Sequence, residues 1–148
     1  VQMGIARDLK QAGAIPGVPK VAFVSPAQDS LNLAGSTTGA TDCDITLRMI
    51  SVGQPHRAIP VTGALCTAIT AQIHGSLVRD SVGPRKTGHA LRIAHPSGVT
   101  TVDARVEQHR NTWHAVSATI HRSARRLMDG HVYVSGTPAP KADGGLSQ

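Results

Sequence analysis

Apolar residues in this chain come in short bursts punctuated by Gly, Pro and Ser, and their spacing changes from helix-like to strand-like along its length. Met3 to Ala12 has a weak helical spacing that Gly13, Pro16, Gly17 and Pro19 break. Val21, Ala22, Phe23 and Val24 read as a short buried strand closed by Ser25-Pro26, and the Gly, Ser and Thr residues from Leu33 to Thr41 read as a loop. Thr41 or Asp42 is placed to cap a helix through Ile45, Met49 and Val52, ended by Gly53 and Pro55. A second helix is predicted from Thr62 to His74, with Gly75 as terminator. It carries Leu65, Ile69 and Ile73 on one face and Ala64, Ala68 and Ala71 on another, so other elements should wrap it.

Gly83, Pro84 and Gly88 mark a loop, after which Leu91 and Ile93, then Val99 to Val106, read as strands on either side of a His95-Pro96-Ser97-Gly98 turn. Val102, Ala104 and Val106 alternate with polar neighbours, as do Val116, Ala118 and Ile120. These are two half-buried antiparallel strands with a hairpin at His109 to Asn111. Ser123 to Asp129 reads as a short helix or turn, His131 to Val134 as a final strand, and the Pro- and Gly-rich stretch from Gly136 to Gln148 as a disordered tail. The sum is an α+β fold, strands around a central apolar helix.

The 148 residues suffice for one domain with a real core, and 40% apolar content suits a globular protein. The longest apolar runs fall far short of a membrane span, and no basic stretch followed by an apolar one opens the chain. Cys43 and Cys66 have neither metal-ligand spacing nor disulfide-framework density, which points to reduced thiols and a cytoplasmic setting. The eight histidines show no close metal-like pairing. A net charge of +6 favours an acidic partner, whether carboxylate, phosphate or nucleic acid. Stacking platforms are scarce, with Phe23, Trp113 and Tyr133 the sole aromatic residues of that type, which argues against nucleic acid.

The junction from His56 to Ala68 runs from a polar turn into a small-residue helix. The first amides of a helix lack internal partners and carry the positive end of its dipole, so a carboxylate or phosphate sits there readily. Thr62 is placed as the N-cap, Gly63 has no Cβ to block a ligand, Ala64 extends the amide cradle, and Arg57 offers a planar fork of donors. The competing reading is an ordinary core helix with Arg57 on a solvated surface.

Val18 to Val24, Pro60 to Ala68, His95 to Gly98 and Arg122 to Gly130, in that order, resemble the 2-methylaconitate cis-trans isomerase family. That family includes aconitate and methylitaconate Δ-isomerases and 4-oxalomesaconate tautomerases, and shares the diaminopimelate epimerase-like fold. The resemblance corresponds to the C-terminal half of a member, and an opening at Val1-Gln2-Met3-Gly4 reads as a cut inside a longer polypeptide. It implies residues 1–18 as the end of a preceding segment and linker, 19–134 as the C-terminal epimerase-like domain, and 135–148 as a tail.

The chemistry implied is a proton shift on a di- or tricarboxylate, without cofactor or metal: a base takes a proton beside a carboxylate, positive groups hold the enolate-like intermediate, and a proton returns elsewhere. The family's lysine base and its cysteine belong to an N-terminal half in the same or a separate chain, so Lys20 and Cys66 do not inherit those roles. The place of the catalytic cysteine in related epimerases is taken by Pro60. No catalytic residue is therefore assigned, and Cys66 reads as a small core residue. Thr62, Gly63, Ala64 and Arg57 would bind one carboxylate and Ser97 and Gly98 a second, unless the latter pair merely completes a turn braced by His95. Ser123 and Arg125 would face the cleft, unless Arg122, Arg125 and Arg126 form a solvated basic face. The alternative function is a non-catalytic anion-binding or oligomerisation module of a split protein, and homo-oligomerisation stays open.

Overall fold

In chain order, the computed structural model, which describes residues 1–15, 17–83 and 89–133, forms α1 (Leu9–Gly13), β1 (Val21–Pro26), β2 (Ser30–Leu31), β3 (Thr37–Thr38), β4 (Ile45–Ser51), β5 (Gln54–Pro55), α2 (Val61–Thr70), α3 (Leu77–Val82), β6 (Leu91–His95), β7 (Gly98–His109) and β8 (Thr112–Ile120). The main sheet runs β1-β4-β6-β7-β8, with β5 folded back on β4, while β2 and β3 pair separately. All neighbours in the main sheet are antiparallel except β4 and β6. A parallel pair needs a crossover connection, and here the stretch carrying α2 and α3 provides it. α2 lies against β7 and β8, and α3 against β1.

The core forms where the sheet meets α2. Ile45, Leu47 and Met49 of β4, Leu91 and Ile93 of β6 and Val102 of β7 pack with Ile59, Ala64, Ala68 and Ala71. Small residues on α2 let its backbone come close to the strands, leaving the bulk of the core to the sheet. Burying each of Ile45, Leu47, Leu91, Ile93 and Val102, all under 2% exposed, contributes about 1.5–3 kcal/mol. The far end is pinned by the ring of His74, just past α2, which lies 6.0 Å from that of Trp113 in β8.

The helix predicted from Thr41 or Asp42 through Ile45, Met49 and Val52 is instead strand β4. Ile45, Leu47 and Met49 alternate with Thr46 and Arg48, a two-residue period that the four-residue spacing of Ile45 and Met49 imitates. Asp42 closes a single 3-10 turn, Ala40–Asp42, where its carboxylate accepts the Gly39 amide at 3.1 Å. The predicted strand at Val21 to Val24 exists, but Phe23 pairs with Arg48 on the face turned away from the core, so it is 61% exposed rather than buried. The weak helix of Met3 to Ala12 shrinks to the five residues of α1, capped by Asp8. Within the predicted loop of Leu33 to Thr41, Thr37 and Thr38 pair with Leu31 and Ser30.

The strands around the His95 to Gly98 turn, and the hairpin of β7 and β8, form as predicted. Arg110 and Asn111 turn that hairpin with φ of 46° and 69°, the left-handed conformation a two-residue turn requires. α3 was not anticipated, although Ser76, whose hydroxyl accepts the Arg79 amide at 3.1 Å, and Asp80 in the first turn supply ordinary start signals. Neither a helix at Ser123 to Asp129 nor a strand at His131 forms in the described residues, where 121–133 has no regular structure and is exposed. Few apolar contacts are available to fix it. Pro84, Gly88, Val134 and the tail from Gly136 lie outside the described residues.

Candidate functional site

The entrance to α2 differs from its predicted form in three respects. Its N-cap is Pro60, which has no side-chain acceptor, and Thr62 lies inside the first turn. Gly63 is buried against the sheet: a Cβ there would come within 2.6 Å of Met49 Cε and 2.8 Å of its Sδ, so its missing side chain makes room for a core methionine rather than a ligand. The Ala64 amide donates to the Pro60 carbonyl at 2.9 Å, inside the helix, and its side chain is fully buried. Thr62 is exposed and lines, with Gly63, an apolar groove of about 350 Å³ between α2, β1, β4 and α3. Cys66 lines the same groove and is exposed, which corrects its reading as a core residue, while Cys43 is buried. Both thiols are free.

A second cavity, of about 260 Å³, opens at the other end of the sheet. Ala58 and Ile59 from the approach to α2, His95 from the end of β6, Val99 and Thr100 from the start of β7, and His121, Arg122 and Ser123 from the segment after β8 line it. Three distant stretches of sequence thus converge. The amide of His121 donates to the Thr101 carbonyl at 2.9 Å, which holds that last segment against β7.

Hydrogen bonds beside this cavity are well defined. The Ser97 hydroxyl donates to the Arg57 carbonyl at 2.6 Å, tying the turn between β6 and β7 to the chain entering α2. The Ser97 amide donates to His95 Nδ1 at 3.2 Å. Because Nδ1 is an acceptor, the neutral ring carries its proton on Nε2 and donates it to Thr100 Oγ1, 2.8 Å away. Burial holds the His95 pKa below the usual imidazole value, and the positive charges of Arg48 and Arg122 lower it further. His95 therefore braces the turn as a neutral ring, the role its position in the sequence suggests. Gly98 leaves the turn with φ of 125°, open to glycine and strained for other residues.

The candidate residues divide accordingly. Ser123 lines the cavity, Ser97 and Arg57 are joined beside it, and Gly98 shapes the turn. The Arg57 guanidinium is exposed and makes no hydrogen bond or ion pair among the described residues. Thr62, Gly63 and Ala64 belong to the groove and the core, and Arg125 is exposed on the segment without regular structure. His121, Arg122 and Thr100 line the cavity without having been selected. Arg122 stood in the basic cluster of the sequence, but which of its three arginines lines the cavity depends on how β8 ends, which periodicity does not reveal.

Known proteins bear on this arrangement. Residues 1–135 match the family model described as PrpF protein, and the chain belongs to that family. It is 35% identical over 134 residues to a 2-methyl-aconitate isomerase of Shewanella oneidensis, covering 90% of this chain and 34% of that protein. A 2-methyl-aconitate isomerase of Cupriavidus necator is 36% identical, covering 92% of this chain and 34% of the relative, and a 3-methylitaconate isomerase of Eubacterium barkeri is 31% identical, covering 90% and 35%. The crystal structure of a methylitaconate-delta-isomerase superposes with a TM-score of 0.70 at 25% identity, over 82% of this chain and 34% of that one. The α+β fold of the diaminopimelate epimerase-like type is therefore the fold of this chain. The chain spans about a third of the length of these relatives. No helix among the described residues is long and apolar enough to cross a membrane.

Proposed function

We propose that this chain supplies the carboxylate-binding part of a cofactor-independent isomerase that shifts a proton, or turns a cis double bond trans, on an aconitate-like di- or tricarboxylate. The observation that carries this reading is the convergence on one cavity of Arg122, Ser123, Thr100 and the turn braced by His95. Removing a proton beside a carboxylate leaves an enolate-like anion, and a guanidinium and hydroxyls converging on it stabilise that charge. A neutral His95 preserves the hydrogen-bond geometry as charge develops nearby. The base and acid come from an N-terminal half, in the same or a separate polypeptide, and residues 19–134 form the unit that docks with it. The family membership and the isomerase names of the relatives support this reading.

A direct test titrates the chain with trans-aconitate, 2-methylaconitate and oxalomesaconate while following backbone amide NMR shifts, and assays turnover in the same samples. We expect saturable shifts at Thr100, His121, Arg122 and Ser123, their loss in Arg122→Ala, and negligible turnover. Robust turnover by the chain alone, or binding indifferent to Arg122→Ala, would refute it. A second reading, a non-catalytic module that associates through the face of α2, is favoured by the open apolar groove beside Cys66. Self-association in sedimentation, without carboxylate binding at Arg122, selects that reading.

A further inference from the structure

We propose that the outer face of the sheet, between β1 and β4, carries a separate site for a small carboxylate, built from Arg48, Thr46 and Ser25. Phe23 pairs with Arg48 and Ser25 with Thr46 across the two strands, so all four side chains share one face. It is the face turned away from Ile45, Leu47 and Met49, which pack with α2. A cavity of about 230 Å³ opens there, lined by Phe23, Val24, Ser25, Gln28, Thr46 and Arg48. It shares no lining residue with the cavity beside His95.

Three observations point to an anion. Arg48 Nη1 is held by two backbone carbonyls, Leu47 at 2.9 Å and Ala94 at 3.4 Å, whereas Nε and Nη2 donate to nothing among the described residues. That leaves the flat two-donor edge of the guanidinium, the edge a carboxylate accepts bidentately, without an acceptor among the described residues. Thr46 lines the cavity but is only 4% exposed, and its hydroxyl, enclosed by the surrounding atoms, has no hydrogen-bond partner. A buried hydroxyl without a partner is uncommon and asks for one. No Asp or Glu lines the cavity, so the charge of Arg48 is not neutralised from within it. A carboxylate seated on the Nε–Nη2 edge would lie beside Thr46, whose enclosed hydroxyl gains a partner on rotating toward it, with the Phe23 ring alongside the carbon skeleton. A volume of about 230 Å³ suits a monocarboxylate or a short dicarboxylate.

The same chemistry has two sources, a free small acid or the side-chain carboxylate of another polypeptide segment. The test titrates the 148-residue chain at constant ionic strength with acetate, succinate and N-acetylglutamate methylamide, with chloride as control, following backbone amide NMR shifts. Saturable shifts at Ser25, Thr46 and Arg48 are expected, weakened at least tenfold by Arg48→Gln and severalfold by Thr46→Val, and unchanged by Arg122→Ala. Tighter binding of succinate than of the glutamate amide supports a free acid, and the reverse supports a polypeptide carboxylate. Should Arg48→Gln fail to fold, Arg48→Lys keeps the charge while removing the fork, and the same weakening is expected. Unsaturable shifts, shifts matched by chloride, or affinity equal in the parent and folded Arg48 variants overturn the proposal.

Discussion

The hydroxyl of Ser97 and the carbonyl oxygen of Arg57, forty residues apart in sequence, are joined by a 2.6 Å hydrogen bond. It fastens the tight turn of one hairpin to the chain that enters α2, so the two sequence motifs singled out for carboxylate binding are mechanically coupled. Ser97→Ala should lower stability by about 0.5–1.5 kcal/mol, the net value of one such bond. Denaturant unfolding checks this, and an unchanged midpoint would mean that the bond contributes nothing in solution.

His95 sets a pH dependence. Its folded pKa lies below the unfolded value near 6.5, because burial and the charges of Arg48 and Arg122 disfavour the imidazolium. Between the two values the unfolded chain binds more protons than the folded one, so stability rises with pH there. The contribution of His95 is fully present above about pH 6.5 and is lost as pH falls toward its folded pKa. Unfolding curves at pH 7.5 and 5.5 should differ less in His95→Gln than in the parent, and the ring signals of His95 should titrate below those of a free histidine.

The two thiols should separate cleanly in a labelling experiment. Cys66 is exposed along the apolar groove, whereas Cys43 is 3% exposed and its sulfur sits 3.7 Å from the Gly39 carbonyl. A thiol reagent should modify Cys66 in the native chain and reach Cys43 only on unfolding. Equal rates would contradict the assigned orientation of α2.

Asp44 and Arg92 staple the single parallel strand pair. Asp44 accepts from Arg92 Nη2 at 2.8 Å, from Nε at 3.4 Å and from the Arg92 amide at 2.7 Å, and its own amide returns a bond to the Arg92 carbonyl at 2.8 Å. Asp44→Ala removes the side-chain contacts, and hydrogen bonds to charged groups contribute about 1.5–3 kcal/mol. Calorimetric unfolding should show a loss near the lower figure, because the Arg92 side chain remains 42% exposed and water replaces part of the interaction.

Leu91→Ala should cost about 2–5 kcal/mol, as expected where a fully buried leucine leaves a cavity. Leu77→Ala, at a residue 78% exposed on α3, should stay within about 0.5 kcal/mol. Parallel denaturant curves for the two variants distinguish the core from the surface of the crossover.

Much of the fold was legible where one signal stood alone. The alternation of Val102, Ala104 and Val106, the Pro96-Ser97-Gly98 turn and the small-residue stripe of α2 each had one physical reading, and each formed. β4 was misread because Ile45 and Met49 fit both periods, and pairing with β1 and β6, invisible to a local pattern, decided for the strand. The site was legible as neighbourhoods rather than as atoms. The approach to α2, the Ser97 turn and the segment after β8 do meet, but Gly63 and Ala64 serve the packing of α2. Which amides stay free depends on where the first helical hydrogen bond closes, and Pro60 closes it two residues earlier than a Thr62 cap would.

The parallel alignment of β4 with β6 also shapes how the molecule assembles. β6 with β7, and β7 with β8, are hairpins that zip locally, whereas Ile45 meets Ile93 only after the whole intervening crossover has been gathered in. Closing so long a loop is entropically costly before any contact rewards it, which places this seam late in folding. The hairpins around it are thus the natural scaffold on which the last, slow step is completed.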